Sequence, residues 1–309
     1  MEGGARPTRA DREIGHAGGY ASGPTVICVA ALHGNEPAGV RALDRVFRKI
    51  LDHQLSVRGE FAGLVGNVAA LERRERFVAE DMNRIWSTDH VDGLPGTTPD
   101  DLTSEKREQT ELLRELERLI THAVGAVFVL DLHTASSSTA PFVILGDTLR
   151  NREFARRFPL PIVLGLEEHI RGTLMEHLSE LGHIGVAVEG GRHEDAASVD
   201  RLESVTWLAL VQAGCLEAHS VPDLDLHRER LRRAGEGIPS VLEIVHREPA
   251  GPDFEMIDRF ENFQTVRRGV PVAREGVRVI DSPRTARVFL PRYQPVGGDG
   301  FFLARPVNP

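Results

Sequence analysis

The segment Ala30-Ala31-Leu32-His33-Gly34-Asn35-Glu36-Pro37-Ala38-Gly39 decides how the first half of the chain is interpreted. It follows an apolar run rich in β-branched residues, Thr25 to Ala30, and precedes a helix-like run over 40–51. This pattern predicts a strand, a loop and a helix, with His33 and Glu36 in the loop at the carboxyl end of the strand. In an α/β sheet that end is where ligand sites form.

His33 and Glu36 are close enough in sequence for an imidazole nitrogen and a carboxylate oxygen to meet on one cation. Two ligands leave a metal underbound, and His133, at the end of the apolar run 126–132, is the best candidate for a third. Two histidines and one glutamate form an open zinc site in which water takes the fourth position. A lone His-x-x-Glu pair also occurs by chance on solvated loops, so this prediction depends on the rest of the constellation.

Composition limits the class of protein. A chain of 309 residues forms one large domain or a large and a small one. The hydrophobic fraction of 41% and the charged fraction of 27% are those of a soluble globular protein. A net charge of −9 lacks the basic footprint that a nucleic acid or an anionic membrane surface requires. No run approaches the roughly 18 apolar residues needed to span a bilayer, so we expect neither nucleic acid nor membrane as a partner.

The two cysteines, Cys28 and Cys215, both lie in apolar runs and are interpreted as small buried hydrophobic residues. They show no metal or disulfide pattern, which fits a reducing cytoplasm. The segment from Met1 to Gly23 lacks the apolar core of a signal peptide, and residues before about Pro24 are predicted to form a loose arm. We therefore expect a cytoplasmic protein.

Strand-like and helix-like runs alternate up to about residue 220, which predicts a mostly parallel sheet covered by helices on both faces. Beyond Pro222 the pattern changes to short β-like runs separated by Gly and Pro. The predicted fold class is α/β, a mixed sheet with helices on both faces plus a smaller, mostly-β C-terminal domain. The predicted domains are 1–220 and 221–309.

Glu189 ends a run of Ile, Val, Ala and Gly, immediately before Gly190-Gly191. A carboxylate at such a position is either a capping or ion-paired structural residue, or a catalytic group whose pKa is raised by its apolar setting. Beside a metal site it is suited to act as the general base in amide hydrolysis.

An arginine-dense stretch contains Asn83-Arg84, flanked by Met82 and Ile85-Trp86. Such stretches are usually solvated faces, but an Asn-Arg pair between apolar residues is suited to grip a substrate carboxylate. Arg76 is suited to face a developing oxyanion instead.

Four short motifs now stand in order along the chain. They are His33-Gly34-Asn35-Glu36, Asp81-Met82-Asn83-Arg84, Asp131-Leu132-His133-Thr134 and Val188-Glu189-Gly190-Gly191. Together they resemble the succinylglutamate desuccinylase/aspartoacylase family, a branch related to the zinc carboxypeptidases. The resemblance extends over most of the chain, including the β-rich C-terminal region and Gly297-Gly298-Asp299.

The resemblance implies one zinc ion per chain, held by His33, Glu36 and His133. It also implies that Glu189 is the general base and later the general acid. The implied fold is a zinc carboxypeptidase-like catalytic domain, with an added β domain that narrows the mouth of the active site.

The resemblance further assigns the oxyanion-facing role to Arg76, which lies seven residues before Asn83. Asn83 and Arg84 would clamp the α-carboxylate of an N-acyl amino acid, a small-molecule substrate. The implied activity is that of an amidohydrolase that removes an acyl group of the succinyl or acetyl type, and a homodimer is compatible with this kind of enzyme.

At one place the sequence departs from the aspartoacylases, which carry an arginine shortly before the catalytic glutamate. Here that neighbourhood is Leu178-Ser179-Glu180, and Arg171 is displaced. This departure argues against N-acetylaspartate as the substrate. The acyl group, the amino acid, the pathway and the oligomeric state stay open, as does any part that Arg171 plays in the pocket.

Other residues keep two interpretations. Asp131 shares a strand face with His133, so it either orients that imidazole or caps a neighbouring backbone. Tyr293 is a further candidate for the pocket, whereas His169, His183 and His193 are interpreted as bystanders. Two other functions also remain open: a metallocarboxypeptidase acting on peptides, and a non-catalytic protein that binds a carboxylate ligand.

Overall fold

The structure is a computed structural model that describes residues 11–19, 22–94, 98, 102–293 and 298–307. Within these residues it contains a large sheet of eleven strands and a separate sheet of three. The strands are β1 (Glu13–Gly18), β2 (Thr25–Ala30), β3 (Glu60–Val65), β4 (Val127–Ala135), β5 (Phe142–Ile144), β6 (Ile162–Leu164), β7 (Ile184–Arg192), β8 (Val241–Pro249), β9 (Phe254–Met256), β10 (Thr265–Val266), β11 (Pro271–Glu275), β12 (Arg278–Asp281), β13 (Ala286–Phe289) and β14 (Asp299–Pro306). The helices are α1 (Ala38–Asp52), α2 (Val68–Arg73), α3 (Thr88–Gly93), α4 (Ser104–His122), α5 (Leu149–Ala155), α6 (Leu174–Glu180), α7 (Ala196–Ala213) and α8 (Leu224–Ala234), with short 3₁₀ turns at Met82–Arg84 and Ala218–Ser220.

The centre of the large sheet is parallel. Strand β2 pairs with β3 on one side and with β4 on the other, and β4 pairs with β7, all in parallel. Every residue of β2 is buried because helices cover both faces of the sheet. Apolar side chains of α1 and α7 form the core on one face, and those of α4 and α6 form it on the other. The predicted mixed sheet with helices on both faces is thus confirmed.

The N-terminal segment differs from the prediction. Residues 11–19 are not a loose arm, because β1 pairs antiparallel with β3 at the edge of the sheet. The Arg12 guanidinium donates hydrogen bonds to the carbonyls of Val65 and Gly66, at 2.9 and 2.8 Å, and pairs with Glu108. An edge strand is held by backbone hydrogen bonds, so it needs no apolar run to mark it in the sequence.

The C-terminal region is largely β-structure, as predicted, and it continues the large sheet. Strand β8 pairs in parallel with β6, and β14, β13 and β10 follow in order beyond β8. Strands β12, β11 and β9 form the small second sheet. Helix α8 was not predicted, and its Leu224 and Leu231 join the core that α7 also fills. The division into domains at residue 220 stays a prediction.

None of the helices among the described residues combines the length and the apolar character needed to cross a bilayer.

Candidate active site

Three predicted residues meet at the carboxyl end of the parallel strands. His33 and Glu36 lie between β2 and α1. His133 lies near the carboxyl end of β4, the strand that pairs with β2. Glu189 on β7 stands directly beside His133 in the strand register. All four residues line one cavity of about 600 Å³. The topology therefore brings together residues that are up to 156 positions apart in the sequence (189 − 33).

Glu36 is the centre of this cluster. Its Oε1 lies 2.9 Å from Nδ1 of His33, and its Oε2 lies 3.0 Å from Nδ1 of His133. The backbone N–H of Thr134 donates to Oε2 at 2.9 Å and fixes the carboxylate plane. One ligand atom from each of the three side chains lies within 4.8 Å of the others, and all three residues are buried.

In each imidazole, the ring nitrogen that points away from Glu36 contacts an aspartate. Nε2 of His133 lies 2.7 Å from Oδ2 of Asp131, and Nε2 of His33 lies 3.0 Å from Oδ1 of Asp81. A carboxylate accepts only, so each Nε2 must carry a hydrogen and donate it. In a neutral imidazole this places the lone pair on Nδ1, facing Glu36. Asp131 thus contacts the imidazole that sequence analysis paired with it, whereas the contact of Asp81 was not predicted.

This arrangement fits a divalent cation. Two Nδ1 lone pairs facing two carboxylate oxygens at about 3 Å are acceptors facing acceptors, which is unfavourable unless a proton or a cation lies between them. Although burial opposes it, the charges of Asp131 and Glu36 raise the pKa of His133 well above its ordinary value. Burial likewise opposes ionisation of Glu36, but His33 and His133 hold its pKa well below the usual range. Aspartate partners behind ligand imidazoles are typical of metal sites.

Glu189 has a different environment from Glu36. Its Oε2 is shielded from solvent and has no hydrogen-bond partner among the described residues. Burial, together with the charge of Glu36, raises the pKa of the Glu189 carboxyl to about 8. A shielded carboxyl whose pKa is raised toward neutrality, beside a cation site, is suited to exchange protons.

Arg76 contacts the same cluster from the loop that follows α2. Its Nη2 donates to Oδ2 of Asp81 at 2.8 Å, and its Nη1 lies 3.9 Å from Oε1 of Glu36. Its Nε is buried and has no partner in the part of the chain that the structure describes. The guanidinium therefore lies at the edge of the cation site with part of its donor capacity unused.

Asn83 and Arg84 lie in the 3₁₀ turn Met82–Arg84, which the carboxylate of Asp81 caps by accepting from the N–H of Asn83 at 3.0 Å. The side-chain Oδ1 of Asn83 accepts from the N–H of Leu174 at 3.0 Å, which leaves its amide group oriented by α6. Arg84 donates to the carbonyl of Asn83 at 2.7 Å and lies 3.6 Å from Asp299. Both side chains line the cavity.

Of the other residues singled out in the sequence, some line the cavity and others do not. Arg171 is exposed and paired with Glu176, and Tyr293 donates to the carbonyls of Asp258 and Phe260; neither lines the cavity. His193 does line it, and its Nδ1 lies 2.8 Å from Oγ1 of Thr134. Its position directly after β7, four residues beyond Glu189, is the signal that could have indicated this. Of the C-terminal motif, Gly297 lies outside the described residues.

The comparisons with known proteins agree with this geometry. Residues 22–208 match the model of the succinylglutamate desuccinylase/aspartoacylase catalytic domain. The chain belongs to the succinylglutamate desuccinylase/aspartoacylase family, which confirms the resemblance inferred from the four motifs.

Individual members of the family share limited sequence identity with this chain. A succinylglutamate desuccinylase of Pseudomonas paraeruginosa is 36% identical over 123 residues, which are 40% of this chain and only 35% of that protein. One of Shewanella pealeana is 23% identical over 267 residues, 81% of this chain and 72% of that protein.

Solved structures resemble the chain over a greater length. The crystal structure of a succinylglutamate desuccinylase/aspartoacylase from Rhodobacter sphaeroides covers 94% of this chain and 87% of its own, with a TM-score of 0.68 and 16% identity. That of the succinylglutamate desuccinylase from Chromobacterium violaceum covers 94% and 86%, with a TM-score of 0.66 and 18% identity. At such identities the likeness establishes the fold.

Proposed function

We propose that this protein is a zinc-dependent amidohydrolase that removes an acyl group of the succinyl or acetyl type from an N-acyl amino acid. The observation that carries the proposal is the convergence of two Nδ1 atoms on Glu36, beside a Glu189 carboxyl whose shielded Oε2 has no hydrogen-bond partner among the described residues. His33, Glu36 and His133 would hold one zinc ion per chain. When bound, zinc supplies Lewis-acid chemistry, which polarises an amide carbonyl and acidifies water.

Glu189 would move the proton. Its Oε2 accepts a proton from the water that attacks the carbonyl carbon, and later delivers that proton to the nitrogen of the leaving amine. The C–N bond then breaks and yields a carboxylic acid and a free amino acid. Burial and, after it, the charge of Glu36 raise the pKa of Glu189 to about 8, and a cation held by Glu36 would oppose the second of these effects and favour the ionised form that accepts protons.

Arg76 and the turn at Asn83 would hold the substrate. The unused donor capacity of Arg76 would serve the carbonyl oxygen on which negative charge develops, since a fixed donor there stabilises the transition state. Asn83 and Arg84 present an amide and a guanidinium to the cavity, a pair suited to an α-carboxylate.

The shape of the cavity favours a small substrate over a peptide. Arg247 on β8, Leu290 after β13, and Asp299 and Phe302 on β14 all line it, so the C-terminal region closes one side. A metallocarboxypeptidase would need an open cleft for the rest of its peptide.

The buried free cysteines, Cys28 and Cys215, suit a cytoplasmic location.

The test is a panel of N-succinyl, N-acetyl and N-formyl amino acids, assayed for released amine with zinc-loaded protein. Glu189→Gln should lower kcat by at least about a hundredfold, because a general base is lost, while bound zinc stays stoichiometric. Glu153→Gln, at an exposed glutamate, is the matched control and should leave kcat unchanged.

Full activity in Glu189→Gln would remove that residue from the reaction. Hydrolysis of C-terminal residues from peptides, with none of the panel cleaved, would favour the carboxypeptidase alternative. Zinc-free protein that binds a carboxylate ligand and cleaves nothing after zinc is supplied would favour a binding protein.

A further inference from the structure

The cavity has a second end that the proposed chemistry does not use. Ala187 lies two residues before Glu189 and on the same face of β7, since residues two apart share a strand face. Beyond Ala187 the wall becomes apolar, and this part is named the apolar arm. Its lining residues are Ile144, Leu145, Leu166, Ile170 and Met175.

The strand register fixes where the apolar arm lies. Ile144 on β5 stands opposite Ala187, and Val163 on β6 stands opposite Ile144. Strand β6 therefore lies two inter-strand spacings, about 10 Å, from β7. A group that enters the apolar arm must be carried on a chain of several atoms from the reacting amide.

Glu167 lines the cavity directly after the arm residue Leu166. Its Oε1 accepts from the N–H of Asp147 at 3.2 Å. Its Oε2 is shielded from solvent and has no hydrogen-bond partner among the residues that the structure describes. A shielded carboxylate oxygen without a partner is costly, so an unpaired acid in a ligand cavity indicates a ligand group that would satisfy it.

The charges around Glu167 do not supply that group. Asp147 and Glu168 add negative charge, and burial, acting first, raises the pKa of the Glu167 carboxyl. Arg171, whose guanidinium interacts with this charge from the surface, is already bound to Glu176 at 2.8 Å.

The arginines of the cavity have acidic partners or proposed roles apart from Glu167. Arg76 is bound to Asp81 at 2.8 Å. Arg84 and Arg247 share Asp299, at 3.6 and 2.7 Å. Arg292 lies over the ring of Phe254 and donates to its carbonyl at 3.1 Å, away from the apolar arm.

We propose that Glu167 binds a cationic amine at the end of an apolar chain of the substrate, and that the apolar arm holds that chain. This inference rests on the proposed function and narrows its substrate class. A substrate with a carboxylate in place of the amine would bring a second negative charge against Glu167, and under the proposed function Arg84 and Arg76 already serve the α-carboxylate and the carbonyl oxygen. The amine can be on the amino-acid side chain or on the acyl chain, because both extend from the same amide.

Matched substrates test the proposal. Nα-acetyl-lysine, Nα-acetyl-norleucine and Nα-acetyl-2-aminoadipate place an amine, a methyl and a carboxylate at the end of a similar chain. 6-Aminohexanoyl-glycine and hexanoyl-glycine place an amine and a methyl at the end of the acyl chain, so the better amine series identifies which part enters the apolar arm. In the acetyl series we expect the highest kcat/KM for the amine and the lowest for the carboxylate, and in the glycine series a higher kcat/KM for the amine than for the methyl.

Glu167→Gln keeps the shape and the bond to Asp147 but removes the charge. It should lower kcat/KM for the preferred amine substrate about tenfold or more, because a charge-assisted hydrogen bond is lost, and leave the methyl-terminated substrate unchanged. Glu153→Gln, at an exposed glutamate, is the control and should change neither value.

Equal losses for amine and methyl substrates in Glu167→Gln, or a preference for the carboxylate, would overturn the proposal. Calorimetry of Nα-acetyl-lysine and Nα-acetyl-norleucine binding provides a readout that does not need turnover. If no substrate is hydrolysed, the proposed function fails. The role of Glu167 is then judged by binding alone, and equal affinity of both ligands for wild type and Glu167→Gln would reject it.

Discussion

The two imidazoles at the centre of the site are held by the same kind of partner in different ways. His133 is oriented by Asp131 from within one strand, two residues away, on a face where both side chains must point the same way. His33 is oriented by Asp81, from an irregular loop 48 residues further along the chain. One half of the centre is thus built into the sheet, and the other half depends on how a loop is placed against it.

The loop side carries more than one task. Asp81 accepts from His33, from Arg76 and from the N–H of Asn83 at once. Asp131 contacts His133, and its other oxygen has no partner among the described residues. Under the proposed function, the positioning of the zinc ligand His33 and of the substrate would be coupled through Asp81, whereas Asp131 would position only His133.

The largest effect is expected where the two halves meet. Glu36→Ala removes the carboxylate that contacts both imidazoles, so zinc affinity should fall by more than the roughly 10- to 100-fold typical of partners behind the ligands. Zinc titration by calorimetry measures this, and circular dichroism checks that the fold is kept. Retained stoichiometric zinc at wild-type affinity would remove Glu36 from the ligand set.

The difference between the two aspartates is tested by the variants Asp131→Asn and Asp81→Asn. Both should weaken zinc binding about 10- to 100-fold, because an amide oxygen still accepts from Nε2 but lacks the charge. At saturating zinc, Asp81→Asn should also raise KM, since the amide NH2 that replaces Oδ2 no longer accepts from Arg76, whereas Asp131→Asn should leave KM near the wild-type value. Asp52→Asn, at an exposed position, is the control. Equal KM values in the two site variants would mean that the two halves are not organised differently.

The smallest effect concerns a histidine outside the site. His227 on α8 contacts Ser204 on α7 at 2.9 Å, and burial lowers its pKa to about 4 from an ordinary value of about 6.5. Between these values the unfolded chain binds the proton and the native one does not, so this contribution to stability is present above pH 6.5 and is lost as the pH falls toward 4. The free energy of unfolding of His227→Gln should therefore decrease less than that of wild type between pH 7 and pH 5. Urea titration measures it, and exposed His219→Gln should follow wild type.

The sequence predicted the parts of the site that follow strand ends. His33, Glu36, His133 and Glu189 each stand at the end of an apolar run, and parallel strands bring such ends to one edge. The contact of Asp81 with His33 could not be predicted, because no periodicity describes the path of the loop that contains it. The sequence also could not predict that Oε2 of Glu167 lacks a hydrogen-bond partner among the described residues. This lack depends on which groups surround that oxygen in the fold.

Outside the site, the missed elements have separate reasons. Strand β1 is polar and held through its backbone, so it carries no apolar signal. Strand β14 is buried along residues 301–304, and a short continuous apolar run does not distinguish a strand from a helix. Helix α8 did carry a signal, since Leu224, His227 and Leu231 recur at helical spacing and are its buried residues.

The pairing of β6 with β8 limits how the chain can be divided. A fragment that ends near residue 220 would leave β6 with its outer N–H and C=O groups unpaired at a new edge of the sheet. Bare strand edges recruit other chains, so such a fragment would tend to associate with itself rather than behave as an independent catalytic module. The same truncation would remove the wall that Arg247, Leu290 and Phe302 provide on one side of the cavity, and would leave that side exposed to solvent.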